Sequence, residues 1–250
     1  MKNLIKTIFA LFLASIVVIS VYNATNGFDA KTMANWADSM GAKAENCIKN
    51  QDCPQVNINP SQGTTPHIYI NTTPTSLDKI RVVTKNPNQN STYNRENWKH
   101  WSTVPGKPKC WNVREEVLLK QGQDVKVSGD GCSIVSGTWI DPYTGQTFTD
   151  PKKLDIDHIV PLNLASDKGG YKWNPQQKET YANDLEVLLA VSAKENRAKG
   201  KKPINEWLPP NKAFHCTYGK LYAHVLDKYG LPITPEERNT LAPLVKADCR

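Results

Sequence analysis

The pattern of apolar and polar positions divides the chain into a weakly patterned front and a strongly patterned back. In the front, apolar side chains recur at helical spacing over residues 30–48, and Ile80-Arg81-Val82-Val83 is typical of a short strand. We therefore divide the chain into a leader over residues 1–24, a poorly defined region and linker over residues 25–95, and one folded domain over residues 96–250.

The back of the chain mixes strand-like and helical spacing. Strand-like runs and helical patterns cover, in chain order, residues 113–120 (helix), 131–140 (strand), 154–162 (strand), 185–191 (strand), 212–229 (helix) and 234–245 (helix). A polar loop is predicted over residues 163–183, and Ser192-Ala193-Lys194-Glu195 is typical of the capping box that starts a helix. The mixture predicts an α+β domain.

Composition narrows the class of protein. The chain has 250 residues, of which 39% are hydrophobic, enough for one core and too few for a polytopic membrane protein. Lysine and arginine outnumber the acidic residues by 31 to 24, and the net charge of +7 favours an anionic partner.

The N-terminus has the pattern of an export signal. Lys2 and Lys6 precede an uncharged apolar run over residues 7–22, which is shorter than the roughly 18 residues expected of a membrane-spanning helix. We expect a secreted or periplasmic protein. The alternative is a retained N-terminal anchor, in which case a membrane would also be a partner.

The cysteines fit an exported protein. Six cysteines follow the leader, none of them in a C-x-x-C pair, which favours three disulfides over a zinc site. Pairing of sequence neighbours would give Cys47–Cys53, Cys110–Cys132 and Cys216–Cys249, and other pairings remain open.

The run Leu154-Asp155-Ile156-Asp157-His158 places two carboxylates and an imidazole in an apolar strand, where burying them is costly unless they have partners or a task. Carboxylate oxygens suit Mg²⁺ or Ca²⁺, and a neutral imidazole suits proton abstraction near pH 7. Asp155 and Asp157 should share one face of the strand. Asp157 and His158 should point apart, unless the strand ends or bulges there.

This segment resembles the ββα-metal, or HNH, nuclease motif. Asp157-His158-Ile159-Val160-Pro161 matches its first strand, and Glu195-Asn196-Arg197-Ala198-Lys199-Gly200 matches its helix. The wider pattern from Trp98 to the C-terminus is similar to exported bacterial HNH proteins related to the C-terminal domain of the GmrSD restriction enzymes. The resemblance implies a ββα-metal core with additional helices, stapled by disulfides.

The resemblance also implies roles for particular residues. His158 would be the general base, and Asp157 and Asn196 would hold one divalent metal, Mg²⁺ in the first instance, with Mn²⁺, Ca²⁺ and Zn²⁺ left open. Asp155 and Asn183 would support them. No small-molecule cofactor is expected.

One position departs from the family pattern. The family often has Asn, sometimes His, where this chain has Val187, and that side chain helps to orient the base. Because valine cannot do so, Asn183 or a backbone carbonyl would have to take its place.

Basic residues on and after the predicted helix are candidate phosphate contacts, and Arg114 is a weaker one. The helix group consists of Lys194, Arg197, Lys199, Lys201 and Lys202. A run of this kind is alternatively an ordinary solvated face, whereas phosphate contacts would make the affinity depend on salt.

The sequence therefore predicts an exported metal-dependent endonuclease that hydrolyses DNA, or alternatively RNA, with low sequence specificity. A catalytically impaired nucleic-acid-binding protein is the second hypothesis, motivated by Val187. An exported interaction protein, motivated by the Asn-, Pro- and Thr-rich front, is the third.

Overall fold

The computed structural model describes residues 76–88, 93–247 and 249. The predicted leader, the predicted helix over residues 30–48 and the Cys47–Cys53 pair lie outside the described residues. Within the described part of the chain, no helix combines the length and the apolar character needed to cross a membrane.

The described residues form a mixed α and β structure, in agreement with the predicted α+β class. Its helices are α1 (Val113–Gln121), α2 (Leu162–Asp167), α3 (Pro175–Asn183), α4 (Ala193–Lys199), α5 (His215–Lys228) and α6 (Pro235–Lys246). Its strands are β1 (Gln123–Val127), β2 (Ile134–Ile140), β3 (Thr147–Phe148), β4 (Leu154–His158) and β5 (Leu188–Ser192). Short 3₁₀ helices include Leu77–Lys79, Arg95–Asn97 and Leu185–Val187.

The strands form two antiparallel sheets. The first has the order β1-β2-β3, and the second pairs β4 with β5 so that Asp157 lies opposite Leu189 and His158 opposite Leu188. Every residue of β5 is buried, which explains its continuous apolar sequence. Helix α4 follows β5 directly and packs on both strands.

Helix α1 joins the two sheets. It begins at the Asn112 side chain, which accepts hydrogen bonds from the amides of the first turn, and it packs against β2 and β5. The side chain of Gln121 then bonds to the Leu188 carbonyl and the Ala190 amide, so it satisfies backbone groups of β5 that have no strand partner.

Helices α5 and α6 pack against each other as a pair. Thr234 caps α6 through a capping box and Pro235 occupies its first turn, as the sequence predicts. Gly219 allows a close approach, because a Cβ built on it would lie 2.5 Å from the Leu244 Cβ.

Two of the predicted disulfides fall within the described residues, and both are confirmed. Cys110 pairs with Cys132, joining the segment before α1 to the β1–β2 hairpin. Cys216 pairs with Cys249, joining α5 to the chain beyond α6.

The segment 76–88 packs on the C-terminal helices. The Val83 amide donates to the Ile233 carbonyl, and the Ile233 amide donates to the Arg81 carbonyl. Arg238 of α6 donates to the Leu77 carbonyl, and Ile80 is 4% exposed. This part of the predicted linker region therefore belongs to the same core as the helices.

Some local predictions were wrong. Residues 80–83 are not a strand, because Val82 makes only an isolated bridge to Ile233. Residues 163–183 are not a continuous loop, because α3 and all of α2 except its first residue, Leu162, lie in this range. Helix α3 begins with a capping box between Asn174 and Gln177 and has Pro175 in its first turn. Helix α4 does begin where predicted, but Ser192 makes no side-chain capping bond.

Candidate active site

An open cleft of about 280 Å³ lies where β4 ends beside the C-terminal end of α4. Its lining brings together residues from three parts of the chain: Tyr93, Arg95, Ile156, Asp157, His158, Pro161, Leu162, Asn163, Asn196, Gly200 and Lys201. The three residues with the sharpest predicted roles, Asp157, His158 and Asn196, therefore meet at one cavity.

Asp157 uses one of its carboxylate oxygens internally. Its Oδ2 accepts hydrogen bonds from the Tyr143 hydroxyl at 2.5 Å and from the Lys199 ammonium at 2.5 Å. Its Oδ1 has no hydrogen-bond partner among the described residues, and the residue lines the cleft while remaining only 5% exposed. One oxygen thus fixes the carboxylate and leaves the other for a ligand.

His158 is held in a comparable way. Its Nε2 donates to the Ala182 carbonyl at 3.0 Å, which leaves the lone pair on Nδ1, and its ring stacks on Tyr181 with centroids 6.1 Å apart. Burial lowers the pKa of His158 to about 3, and the positive charges of Lys199 and Arg95 act in the same direction. The imidazole is therefore neutral at physiological pH and can accept a proton at Nδ1.

The Ala182 carbonyl also resolves the departure at Val187. Val187 is fully buried in the core and offers His158 no side-chain partner. A backbone carbonyl takes over the orienting role, which was one of the two alternatives predicted. The other alternative, Asn183, bonds instead to the Ser102 amide and the Lys99 carbonyl.

Asn196 is oriented by Asp155. The Asn196 Nδ2 donates to the Asp155 Oδ2 at 3.2 Å, which directs its own carbonyl oxygen elsewhere. The same Asp155 oxygen lies 3.6 Å from the Arg197 Nε. Asp155 therefore fixes the orientation of the Asn196 side chain, and Arg197 offsets its negative charge.

These residues fit a sparse metal site. No group of three or more His, Cys, Asp or Glu side chains that could enclose an ion occurs within the described residues. One carboxylate oxygen and one amide oxygen at an open cleft suit Mg²⁺, which keeps several of its waters when it binds protein. Such a set does not suit Zn²⁺, which prefers nitrogen and sulfur ligands.

Sequence comparison assigns the chain to a family. The sequence model described as GmrSD restriction endonucleases, C-terminal domain, matches residues 113–244. The chain belongs to this family. The matched range contains β4, β5 and α4, and therefore Asp157, His158 and Asn196.

A relative of this GmrSD C-terminal-domain protein is found in the fungus Arthroderma benhamiae. The two are 37% identical over 155 residues, which cover 61% of this chain and 74% of the relative, described as an uncharacterized secreted protein. No solved structure matches the chain.

Of the basic residues predicted to contact phosphate, four are exposed. Lys194 and Arg197 have 89% and 76% of their side chains exposed, and Lys201 and Lys202 lie on the surface after α4. Lys201 is the one that lines the cleft.

The other two basic candidates, Lys199 and Arg114, bind protein groups within this GmrSD-family domain. Lys199 is 0% exposed, and its ammonium binds Asp157 and the His158 carbonyl, so no ligand reaches it from solvent. Arg114 donates from Nη2 to the carbonyls of Pro151 and Leu154, each at 3.0 Å, and ties α1 to the start of β4. Both side chains are already committed to protein groups.

Sequence reasoning missed three residues of the site. Tyr143 donates a hydrogen bond to Asp157. The sequence marks its position by the turn Asp141-Pro142-Tyr143-Thr144-Gly145, in which the Asp141 carboxylate accepts hydrogen bonds from the Tyr143 amide and the Thr144 hydroxyl. Tyr93 and Arg95 line the cleft from a segment that precedes the matched range, and no motif marked them.

Proposed function

We propose that the protein is an exported, metal-dependent HNH endonuclease that hydrolyses phosphodiester bonds of DNA, with RNA as the alternative substrate. The observation that carries the proposal is the shared design of Asp157, His158 and Asn196. Each uses one polar atom in a hydrogen bond that fixes its orientation, has a second polar atom without a hydrogen-bond partner among the described residues, and lines the same cleft. The β4–β5–α4 unit is then the ββα-metal core.

His158 would act as the general base. Its Nδ1 takes a proton from water, the resulting hydroxide oxygen bonds to phosphorus, and the bond from phosphorus to the 3′ oxygen breaks. The 3′ oxygen leaves with the bonding electron pair and takes a proton from water to become a hydroxyl, and the imidazolium returns its proton to solvent. The hydrogen bond from Nε2 to the Ala182 carbonyl keeps the ring in the tautomer that this step needs. It also stabilises the imidazolium that forms, because Nε2 can donate to the carbonyl more strongly once the ring is charged.

Asp157 Oδ1 and the Asn196 side-chain oxygen are the groups that would hold the metal. When bound, a divalent cation supplies positive charge that stabilises the transition-state phosphate and the leaving 3′ oxygen. The protein's part is to present two oxygens already fixed by Tyr143, Lys199 and Asp155.

Positive side chains at the cleft support a polyanionic substrate. Arg95 and Lys201 both line it, and exposed Lys194, Arg197 and Lys202 add positive charge on α4 and just after it. Cations of this kind bind the sugar–phosphate backbone and carry no sequence information directly, which favours low sequence specificity.

Two further observations support export. The chain has a leader-like N-terminus and two disulfides in its described part, and disulfides persist in oxidising compartments. The Arthroderma benhamiae relative is described as secreted.

Plasmid cleavage by the purified protein tests the proposal. We expect cleavage with Mg²⁺ or Mn²⁺ and none with EDTA, and we expect His158→Ala to lose at least about a hundredfold in rate. His215→Ala is the matched control, because His215 also bonds to a backbone carbonyl, that of Pro209, but does not line the cleft. Salt-dependent DNA binding without cleavage in any metal would indicate the catalytically impaired alternative.

A further inference from the structure

Lys199 occupies an unusual position for a lysine. It is the last residue of α4 and is fully buried, with its ammonium about 6 Å from the ring centres of Tyr143, Trp207 and Tyr218. It donates to the Asp157 Oδ2 at 2.5 Å and to the His158 carbonyl at 2.7 Å. A buried cation thus binds directly behind the carboxylate that faces the cleft.

Stability alone gives a poor reason for this arrangement. Removing an ammonium from water is costly, and a well-packed neutral side chain in place of a buried ion pair is often equally stable. The Tyr143 hydroxyl already donates to the same Asp157 oxygen and would fix the carboxylate without a charge. Lys199 adds a hydrogen bond to the His158 carbonyl, which a neutral donor could also make, and a positive charge, which Tyr143 does not supply.

The charges around the cleft add up unfavourably for a free cation. Asp157 is the acidic residue that lines it, and Lys199 offsets that charge from behind. Arg95 and Lys201 line the same cleft, and Asp155, which orients Asn196, is paired with Arg197. A divalent cation entering alone therefore meets a cleft with no net negative charge.

A phosphodiester would reverse this balance. Each phosphate group brings one negative charge and oxygens that Mg²⁺ prefers as ligands. We infer that the charge of Lys199 offsets the negative charge of Asp157 in the cleft. A divalent metal would therefore bind firmly only together with the phosphate of the substrate. This inference rests on the proposed nuclease function and adds a requirement: metal and nucleic acid must bind with strong positive coupling.

Measurement of Mn²⁺ affinity by calorimetry tests the coupling directly. The full-length His158→Ala protein, in which cleavage is blocked, is titrated with Mn²⁺ alone and then in the presence of a short DNA duplex. We expect the duplex to tighten Mn²⁺ binding at least about tenfold, and Mn²⁺ to tighten duplex binding by the same factor, because coupling is reciprocal. Equal Mn²⁺ affinity with and without the duplex would overturn the inference.

A charge variant tests the role of Lys199 itself. Lys199→Gln keeps a hydrogen-bond donor for Asp157 and removes the charge, so we expect it to bind Mn²⁺ without DNA at least about tenfold more tightly than the protein with Lys199. Lys246→Gln is the control, since it removes the same charge from an exposed position at the end of α6 that does not line the cleft, and its Mn²⁺ affinity should not change.

Each outcome separates the two ideas. A folded Lys199→Gln protein with unchanged or weaker Mn²⁺ affinity would refute the role of Lys199 while leaving the nuclease intact. Absence of Mn²⁺ binding in every arm, together with absence of plasmid cleavage by the wild-type protein, would refute the proposed function and this inference together. If Lys199→Gln does not fold, as near-ultraviolet circular dichroism would show, the duplex titration still decides the coupling.

Discussion

Asp157 and His158 are consecutive in β4, yet their side chains hydrogen-bond to two different helices. Asp157 binds Lys199 of α4, whereas His158 binds the Ala182 carbonyl of α3. Both still line one cleft, because β4 ends at His158. Strand alternation predicted that Asp157 and His158 would point apart unless the strand ended or bulged there, and the strand does end there. Because the two side chains bind different helices, each can be perturbed separately.

The buried imidazole predicts a dependence of stability on pH. The pKa of His158 falls from 6.5 to about 3 on folding, so between these values the unfolded chain binds a proton that the folded protein does not. The free energy of unfolding should therefore decrease as pH falls below 6.5, by up to about 1.4 kcal/mol per pH unit from this residue. The measurement is urea unfolding of the wild type and of His158→Gln at several pH values from 7 down to 4.

Subtracting the two curves removes the contribution of all other groups. The wild type should lose stability with falling pH faster than His158→Gln does. Parallel curves would mean that His158 titrates in the folded protein near its ordinary value.

Asn196 and Asn183 should respond differently to loss of the amide. Asn196→Ala removes a cleft oxygen and should lower kcat/KM at a fixed, subsaturating Mg²⁺ concentration by about tenfold or more, with partial recovery at high Mg²⁺. Asn183 bonds to the Ser102 amide and the Lys99 carbonyl, away from the cleft. Asn183→Ala should instead cost about 1–2 kcal/mol of stability and leave the Mg²⁺ dependence unchanged. Kinetics over a Mg²⁺ series and thermal unfolding together distinguish the two.

Arg95 should take the role of phosphate contact that the sequence suggested for Arg114. Arg95 is exposed on the cleft wall, so Arg95→Ala should weaken DNA binding and reduce the slope of log affinity against log salt by about one unit. Arg114→Ala should leave that slope unchanged and lower stability by about 1–3 kcal/mol, because two carbonyls lose a charged donor. Equal salt slopes for the Arg95 variant and the wild type would exclude Arg95 as a phosphate contact.

The contact between α5 and α6 makes Gly219 sensitive to substitution. An alanine Cβ there would lie 2.5 Å from the Leu244 Cβ, and we expect Gly219→Ala to destabilise the protein by about 1–3 kcal/mol, despite the better helix propensity of alanine. Gly129→Ala is the control, since a Cβ at Gly129 meets nothing within 4 Å. Thermal unfolding measures both, and a stabilised Gly219→Ala protein would show that the helices can separate without cost.

The meeting of Asp157, His158 and Asn196 at one cleft was predictable because these residues lie in two short motifs. Strand β4, strand β5 and helix α4 follow in the predicted order and bring them together, while their chemical roles stay predictions. The burial of Lys199 was missed, although Asn196 and Lys199 are three residues apart and share a helix face, so an inward-facing Asn196 implies an inward-facing Lys199. The same spacing places Arg114 on the face of Val117 and Leu118, both buried.

Other parts of the site depend on contacts that no local pattern encodes. Arg95 reaches the cleft from a 3₁₀ helix more than sixty positions before His158 in the chain, and tertiary contacts such as the packing of Trp98, which is 2% exposed, fix that helix in place. The partner of His158, the Ala182 carbonyl, is a backbone group, and because every residue has one, no sequence pattern marks it.

The backbone pairing of Arg81 and Val83 with Ile233 limits how the protein can be shortened. A variant that begins at residue 96, the boundary suggested by sequence texture, would lack the Arg81 and Val83 backbone groups that pair with Ile233. The uncovered apolar strip would then be free to adhere to other molecules, so preparations of the isolated catalytic half should start ahead of Leu77 to remain monodisperse.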